Sequence, residues 1–223
     1  MIFLALYDVI LFDLDGTLTD SKIGITKSAQ YALSKFNIIE DDLDKLEPFI
    51  GPPLTESFME FYNFTLDEAK QAIGYYREYF KDKGIFENKP YDGIEDMLKD
   101  LKKAGCDLAV ATSKPTVFSE RILKHFNIDG YFEFIAGSEL DGTRVKKADV
   151  IEYAISQLHC TKKEKIVMVG DRKHDVLGAK ANKIDCISVL YGYGSIRELK
   201  EAGPKYIVNT VQRLKELLLR EIF

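Results

Sequence analysis

The chain has few cysteines. Cys106, Cys160 and Cys186 stand singly, with no C-x-x-C. An odd, scattered count argues against a disulfide framework and fits a reducing cytoplasm. Histidine is also sparse, with three residues and no His/Cys cluster suited to zinc. Positive charge is not in excess: 31 Lys and Arg face 36 Asp and Glu, the net charge is −5 and the pI is near 5.4. No basic face is evident to neutralise phosphates, which argues against a nucleic-acid polymer as partner. Residues 1–6 are apolar but lack a basic n-region and a small-residue cleavage site. They read as merging with the first strand, so neither a signal peptide nor a membrane span is expected. No repeat or low-complexity segment interrupts the chain.

What is present suits a folded protein of one domain plus a large insertion, or of two small domains. The chain has 223 residues, 46% of them hydrophobic. From about Asp92 onward, strand and helix signals alternate. Ile94, Met97, Leu98 and Leu101 sit at helical spacing, with Gly105 as a stop. Residues 108–111 read as a buried strand. Phe118, Ile122, Leu123 and Phe126 mark a helix face, and residues 134–136 a short strand. Val150, Ile151, Ala154, Ile155 and Leu158 form another helix face. Residues 166–169 and 187–190 read as strands, and Leu214, Leu217 and Leu218 as a terminal helix. Such alternation predicts a parallel sheet covered on both faces.

Between Asp20 and Asn88 the alternation stops. Ala29, Ala32, Leu33 and Phe36 give one helical stripe; Leu54, Phe58, Phe61 and Tyr62 give a second. Thr65 with Glu68 is a capping-box signature, and Leu66, Ala69, Ile73, Tyr76 and Phe80 continue that helix. The aromatics fit a small helical core better than a cofactor box.

The run Asp13-Leu14-Asp15-Gly16-Thr17 carries the chemistry. It follows the apolar strand signal Val9-Ile10-Leu11-Phe12, and the carboxyl ends of such strands are where open α/β sheets bind ligands. Gly16 permits a sharp turn, and Thr17 offers a hydroxyl and an N–H to an anion. Crowded carboxylates repel and call for a cation. Oxygen donors suggest Mg²⁺, and Mg²⁺ beside a carboxylate nucleophile suggests phosphoryl transfer. The alternative is an acidic turn capping a strand. Three later segments weigh against it. Thr112-Ser113-Lys114 follows the 108–111 strand, where hydroxyls and free helix N–H groups could hold a phosphate or simply cap a helix. Lys147 opens the helix bearing Val150, where a lysine is usually solvated. Gly170-Asp171 and Asp175 follow the 166–169 strand, and two acids four apart suit a metal site.

On these motifs the chain resembles the haloacid dehalogenase-like hydrolase superfamily along essentially its whole length. Asp13-Leu14-Asp15-Gly16-Thr17-Leu18 matches the first family motif, Thr112-Ser113 the second, Lys147 the third, and Gly170-Asp171 with Asp175 the fourth. The chain is similar to the phosphoglycolate phosphatase-like branch. Gly51-Pro52-Pro53-Leu54, Asp141-Gly142-Thr143-Arg144 and Tyr191-Gly192-Tyr193-Gly194 look most like bacterial members labelled 5′-nucleotidases. Ala148, where much of the family has proline, and Arg172-Lys173-His174 depart from the pattern without removing a catalytic group.

The resemblance implies an α/β fold: a doubly wound parallel, Rossmann-like core over residues 1–20 and 87–223, with an all-helical cap over 21–86. Hinges are expected near Thr19-Asp20 and Asn88-Lys89-Pro90. Asp13 would be the nucleophile and a metal ligand. Asp15 would be the acid–base partner, with its carbonyl on the metal. Thr112 and Ser113 would hold a transferring oxygen, and Lys147 would balance charge. Asp171 would complete the Mg²⁺ site, and Asp175 would act through water or steady Lys147. Gly16, Thr17, Gly51, Pro52 and Lys114 are the expected substrate contacts. The implied function is Mg²⁺-dependent hydrolysis of a small phosphorylated metabolite in the cytoplasm, phosphoglycolate-like, without nucleic-acid or membrane partners. The alternatives are a 5′-nucleotidase, a phosphosugar mutase and a binding or regulatory module on the same fold. His125, His159 and His174 read as solvated or helix-end residues, and residues 162–165 as a solvated connection.

Overall fold

A computed structural model describes residues 2–158, 160 and 162–222. The reading of His159 as a helix-end residue therefore lies outside the described residues. By internal contacts the chain divides into two compact units, Met1–Thr19 with Pro90–Phe223, and Asp20–Lys89.

At the centre of the first unit the strands Val9–Phe12 and Ile166–Gly170 are buried at every position, as parallel strands covered on both faces require. In chain order the unit carries β1 (Ile2–Ala5), β2 (Val9–Phe12) and, at the boundary with the second unit, β3 (Thr19–Asp20). The second unit holds the helices α1 (Lys22–Ser34), α2 (Leu54–Tyr62) and α3 (Leu66–Phe80) and returns through β4 (Lys89–Pro90), which pairs with β3. The first unit then resumes with α4 (Ile94–Lys103), β5 (Asp107–Pro115), α5 (Thr116–His125), β6 (Phe134–Ser138), α6 (Lys147–Gln157), β7 (Ile166–Gly170), α7 (Lys173–Ala181), β8 (Asp185–Val189), α8 (Ile196–Ala202), β9 (Tyr206–Val208), α9 (Val211–Leu218) and β10 (Leu219–Ile222).

Six of these strands form one parallel sheet in the order β6-β5-β2-β7-β8-β9. The chain first builds outward on one side of β2, then returns to build on the other. That reversal beside β2 is a topological switch point, and it leaves a crevice beyond the carboxyl ends of the strands. Alternate residues face alternate sides. Val9, Leu11, Ala109, Ala111, Ile166 and Met168 lie in one cluster with Val150, Ile151 and Ala154 of α6 and Val176 and Ala179 of α7. Each large aliphatic side chain buried there contributes about 1.5–3 kcal/mol. The doubly wound α/β expectation holds.

Of the apolar residues 1–6, the described stretch Ile2–Ala5 does not merge with the first sheet strand. β1 pairs antiparallel with β10, outside the six-stranded sheet. Among the described residues no helix is long and apolar enough to cross a membrane. The cysteines are free, with Cys106 and Cys186 buried.

In the helical unit the capping box forms: Thr65 N–H donates to Glu68 Oε2 at 2.8 Å and Glu68 N–H to Thr65 Oγ1 at 3.3 Å. The core stripe of α3 is Ala69, Ala72, Tyr76 and Phe80, not one that includes Leu66 and Ile73; Leu66 is exposed at the first helical position. Phe58 is fully buried, in edge contact with Phe49 at 4.9 Å between ring centroids, whereas Phe61 is exposed. The 3-10 segment Leu43–Phe49 that supplies Phe49 contains Pro48 and has no regular spacing to betray it.

Candidate active site

Four side chains from three segments of the first unit meet where the switch point predicts. Asp13 leaves the end of β2, its N–H bonded to Val169 O at 2.9 Å. Asp171 follows β7, Lys147 starts α6, and Asp175 lies in the first turn of α7. All four side chains are buried. Lys147 Nζ stands 2.8 Å from Asp13 Oδ1, 2.9 Å from Asp175 Oδ1 and 3.1 Å from Ala111 O. A first-turn lysine is ordinarily solvated; this one is sealed, hydrogen-bonded to Ala111 O and ion-paired with Asp13 and Asp175. Burial alone would lower the Lys147 ammonium, but Asp13 and Asp175 outweigh it and the net shift is upward.

Asp13 Oδ1 also accepts the Leu14 N–H at 2.8 Å. Asp175 Oδ2 accepts the Arg172 N–H at 3.0 Å, whereas its buried Oδ1 is ion-paired with Lys147 and has no hydrogen-bond partner. Asp171 is fully buried, and its carboxyl is raised well above the ordinary range by burial first and then by Asp175 and Asp13. Burial likewise raises Asp175, with Lys147 opposing and Asp13 adding to the rise. One oxygen from each of Asp13, Asp171 and Asp175 lies within 4.8 Å of the others. Three buried carboxylates against one ammonium leave an excess of negative charge that a divalent cation would offset. The donors are all oxygen, which suits a hard ion. The residues present therefore fit a metal.

Asp15 stands apart from that group. Its Oδ2 is 3.0 Å from Lys114 Nζ, and its Oδ1 is buried without a hydrogen-bond partner. Lys114, an expected substrate contact, is thus also the ion-pair partner of Asp15. Gly16 turns with φ +80°, and a Cβ there would lie 2.3 Å from Asp171 Oδ2. The N–H groups of Gly16 and Thr17 donate to Thr19 O and Leu14 O, and Thr17 Oγ1 faces Asp171 Oδ1 at 3.4 Å. These groups therefore close the turn and hold Asp171, where the sequence reading offered them to an anion.

Thr112 is buried and Ser113 half-buried. β5 runs on through both to Pro115, so the helix start expected beside them lies later, with Pro115 as the N-cap of α5. Thr112 Oγ1 accepts the Lys114 N–H at 3.3 Å. Gly51 and Pro52 lie in the helical unit, Gly51 with φ +104°, just before Pro53 caps α2. His174 is half-buried in the first turn of α7, where a solvated loop residue was expected. Its pKa is lowered by burial first, then by Arg172, Lys173 and Lys147. Arg172 and Lys173 are tied to Glu198 Oε1, at 3.0 Å through Arg172 Nε and 2.8 Å through the Lys173 N–H. Glu198 escaped the sequence reading, because nothing local links it to the Asp171 loop.

A family model described as haloacid dehalogenase-like hydrolase matches residues 10–189. The chain belongs to the haloacid dehalogenase-like hydrolases. Among family members, a 5′-nucleotidase of Pseudomonas aeruginosa is 46% identical over 217 residues, spanning 95% of this chain and 96% of its own. The tyrosine-protein kinase PtkA of Mycobacterium tuberculosis is 40% identical over 212 residues, 94% of this chain and 72% of its own. The crystal structure of a predicted phosphatase from Clostridium acetobutylicum superposes with a TM-score of 0.92 at 56% identity, covering 95% of this chain and 98% of that one. The family resemblance read from the four motifs is thus family membership.

Proposed function

We propose that this hydrolase cleaves small phosphate monoesters through a phosphorylated Asp13. The observation that carries the reading is the Asp13 carboxylate, buried and pinned at Oδ1 by Lys147 and the Leu14 N–H, with a second acid two residues on. Pinning one oxygen leaves Oδ2 to attack phosphorus. The P–O ester bond breaks, and Asp15 gives its proton to the departing oxygen. Asp15 then takes a proton from water, the resulting hydroxide attacks the aspartyl phosphate, and inorganic phosphate leaves with Asp13 restored. Lys147 offsets charge on Asp13 and the phosphoryl oxygens, and Thr112 and Ser113 hold one of those oxygens. Asp175 acts by fixing Lys147. Asp13, Asp171 and the Asp15 carbonyl would hold Mg²⁺, which supplies positive charge to the transferring group. The helical unit Asp20–Lys89 is proposed to select the leaving group, with Gly51 and Pro52 in its specificity loop.

Phosphoglycolate-like acids and nucleoside 5′-monophosphates are the leading substrates. The similarity to a protein named 5′-nucleotidase favours the second class; the absence of an assignable base-stacking pair in the sequence favours a broader small-ester phosphatase. The experiment is release of inorganic phosphate from phosphoglycolate, nucleoside 5′-monophosphates, a hexose phosphate and a phosphotyrosine peptide, with acid quench to trap an acyl phosphate. Phosphate release through a hydroxylamine-labile phosphoprotein is expected. Retention of the phosphoryl group on a rearranged sugar would mark a mutase. No turnover of any ester would leave only a binding module.

A further inference from the structure

The loop after β8, Tyr191-Gly192-Tyr193-Gly194, carries none of the roles given above, yet it packs against the site at Asp171. Its contacts converge on one residue. The Tyr193 N–H donates to Asp171 Oδ2 at 2.8 Å. A Cβ on Gly192 would fall 2.4 Å from Asp171 Cβ, 2.5 Å from Asp171 Oδ2 and 2.3 Å from Gly16 O. A Cβ on Gly194 would fall 1.8 Å from Asp171 O. Neither glycine has positive φ, so what demands glycine there is the approach to Asp171 and not the backbone angle. The Tyr191 hydroxyl donates to Thr17 O at 3.0 Å, and the Thr17 hydroxyl in turn faces Asp171 Oδ1. The Tyr191 ring stands edge-on to Tyr91 at 4.9 Å between centroids, which fixes where that hydroxyl points. The Asp171 carboxylate is therefore flanked by the Gly16 and Gly192 backbones, with hydrogen-bonding groups at both oxygens.

We infer that residues 191–194 are a positioning loop that sets the direction of the Asp171 carboxylate toward Asp13. This rests on the metal reading of the site, not on any particular substrate. A buried carboxylate free to rotate would meet the ion in several poses. One wedged between two glycine backbones meets it in one, so the cost of ordering it falls on folding and not on binding. The spacing also separates two tasks. Gly192 and Gly194 admit Asp171, whereas Tyr191 holds the turn that carries Asp13 and Asp15 against it.

The test is Mg²⁺ titration by calorimetry on the full metal-free chain, with far-UV circular dichroism and kcat measured against Mg²⁺ concentration. Gly192→Ala should keep its circular dichroism, weaken Mg²⁺ binding by about tenfold or more, and recover kcat as Mg²⁺ is raised. Gly74→Ala, where a Cβ meets nothing within 4 Å, should bind Mg²⁺ as the wild type does. A folded Gly192→Ala with wild-type affinity overturns the inference, and so does an equal loss in Gly74→Ala. Should Gly192→Ala not fold, Tyr191→Phe decides: it keeps the ring on Tyr91 and should still weaken Mg²⁺ several-fold, and unchanged affinity there overturns the inference as well. A wild type that binds no Mg²⁺ removes both this role and the metal reading. A wild type that binds Mg²⁺, loses it on Gly192→Ala and cleaves no ester supports the loop's role and removes the phosphatase reading alone.

Discussion

Lys114 Nζ lies 3.0 Å from Asp15 Oδ2, with both side chains nearly sealed from solvent. The strand end that supplies Thr112 thus also supplies a cation to the acid–base partner. Lys114→Met should strand the Asp15 carboxyl in a buried setting and lower stability by about 3 kcal/mol. Catalysis should suffer unevenly. An alkyl phosphate needs its leaving oxygen protonated, whereas p-nitrophenyl phosphate departs without help. Without its ion-pair partner the Asp15 carboxyl is no longer held in one pose toward the leaving oxygen, so kcat/KM should fall more for the alkyl ester, and equal losses on the two esters would show that Lys114 does not act through Asp15.

Asp13→Asn should abolish turnover by several powers of ten, as loss of a covalent nucleophile does, without loss of fold. Lys147 keeps Asp175 Oδ1 at 2.9 Å and Ala111 O at 3.1 Å, and removal of one carboxylate from a crowded group relieves repulsion. The variant should melt at or above the wild-type temperature. A folded variant with a tenth of wild-type activity would rule out the aspartyl-phosphate route.

A divalent cation should stabilise as well as activate. Adding Mg²⁺ to chelator-treated protein should raise the melting temperature and restore activity; at a hundred times Kd the stabilisation is about 2.7 kcal/mol. Asp171→Asn should lose most of that gain. Ca²⁺ should bind yet support turnover poorly, because its looser coordination misplaces the attacking oxygen. Full activity in metal-free buffer would sink the assignment.

Tyr7 offers a check at the amino ends of β2 and β8. Its hydroxyl donates to Asp185 Oδ2 at 2.8 Å, and burial first, then that bond, push its ionisation up to about 12. The folded state keeps this proton where the unfolded chain, with a phenol near 10, loses it. Stability from this group is therefore intact below pH 10 and falls as pH rises from about 10 to 12. Tyr7→Phe should be less stable at neutral pH by about 1 kcal/mol and should show a shallower alkaline decline. Parallel declines in the two proteins would count against the assignment.

The sheet was readable because buried parallel strands write themselves as apolar runs: β2 and β7 are buried at every position. The acids and Lys147 were readable because each follows such a strand or opens a helix, at positions whose order repeats in the family. What escaped was set by distant contacts. Nothing local to Lys114 announces its pairing with Asp15, and nothing local to Thr17 announces that its hydroxyl faces Asp171. Short strands such as β9, of three residues, and the 3-10 turn with Pro48 carry too little periodicity to announce themselves.

Substrate ranking should respond to the helical unit independently of the chemistry. Gly51 takes φ +104°, a conformation that side chains resist, and Pro52 and Pro53 follow it with fixed backbone angles. A loop so constrained presents one shape, and stiff loops discriminate because little ordering remains to be done on binding. Gly51→Ala should strain that shape, and Pro52→Ala should relax it. Neither residue has a part in the proposed chemistry of Asp13, Asp15 and Lys147, so dephosphorylation of the aspartyl phosphate should keep its wild-type rate. What should change is kcat/KM for the leaving group: the ratio between phosphoglycolate and a nucleoside 5′-monophosphate should move by about tenfold or more in at least one variant, since differential contacts to the leaving group act on that ratio. Rapid-quench kinetics separate the two steps. A loop variant that slows the second step while leaving the substrate ratio untouched would place Gly51 and Pro52 outside substrate selection. A hundredfold preference of the wild type for one nucleotide would replace the broad-phosphatase reading with a 5′-nucleotidase.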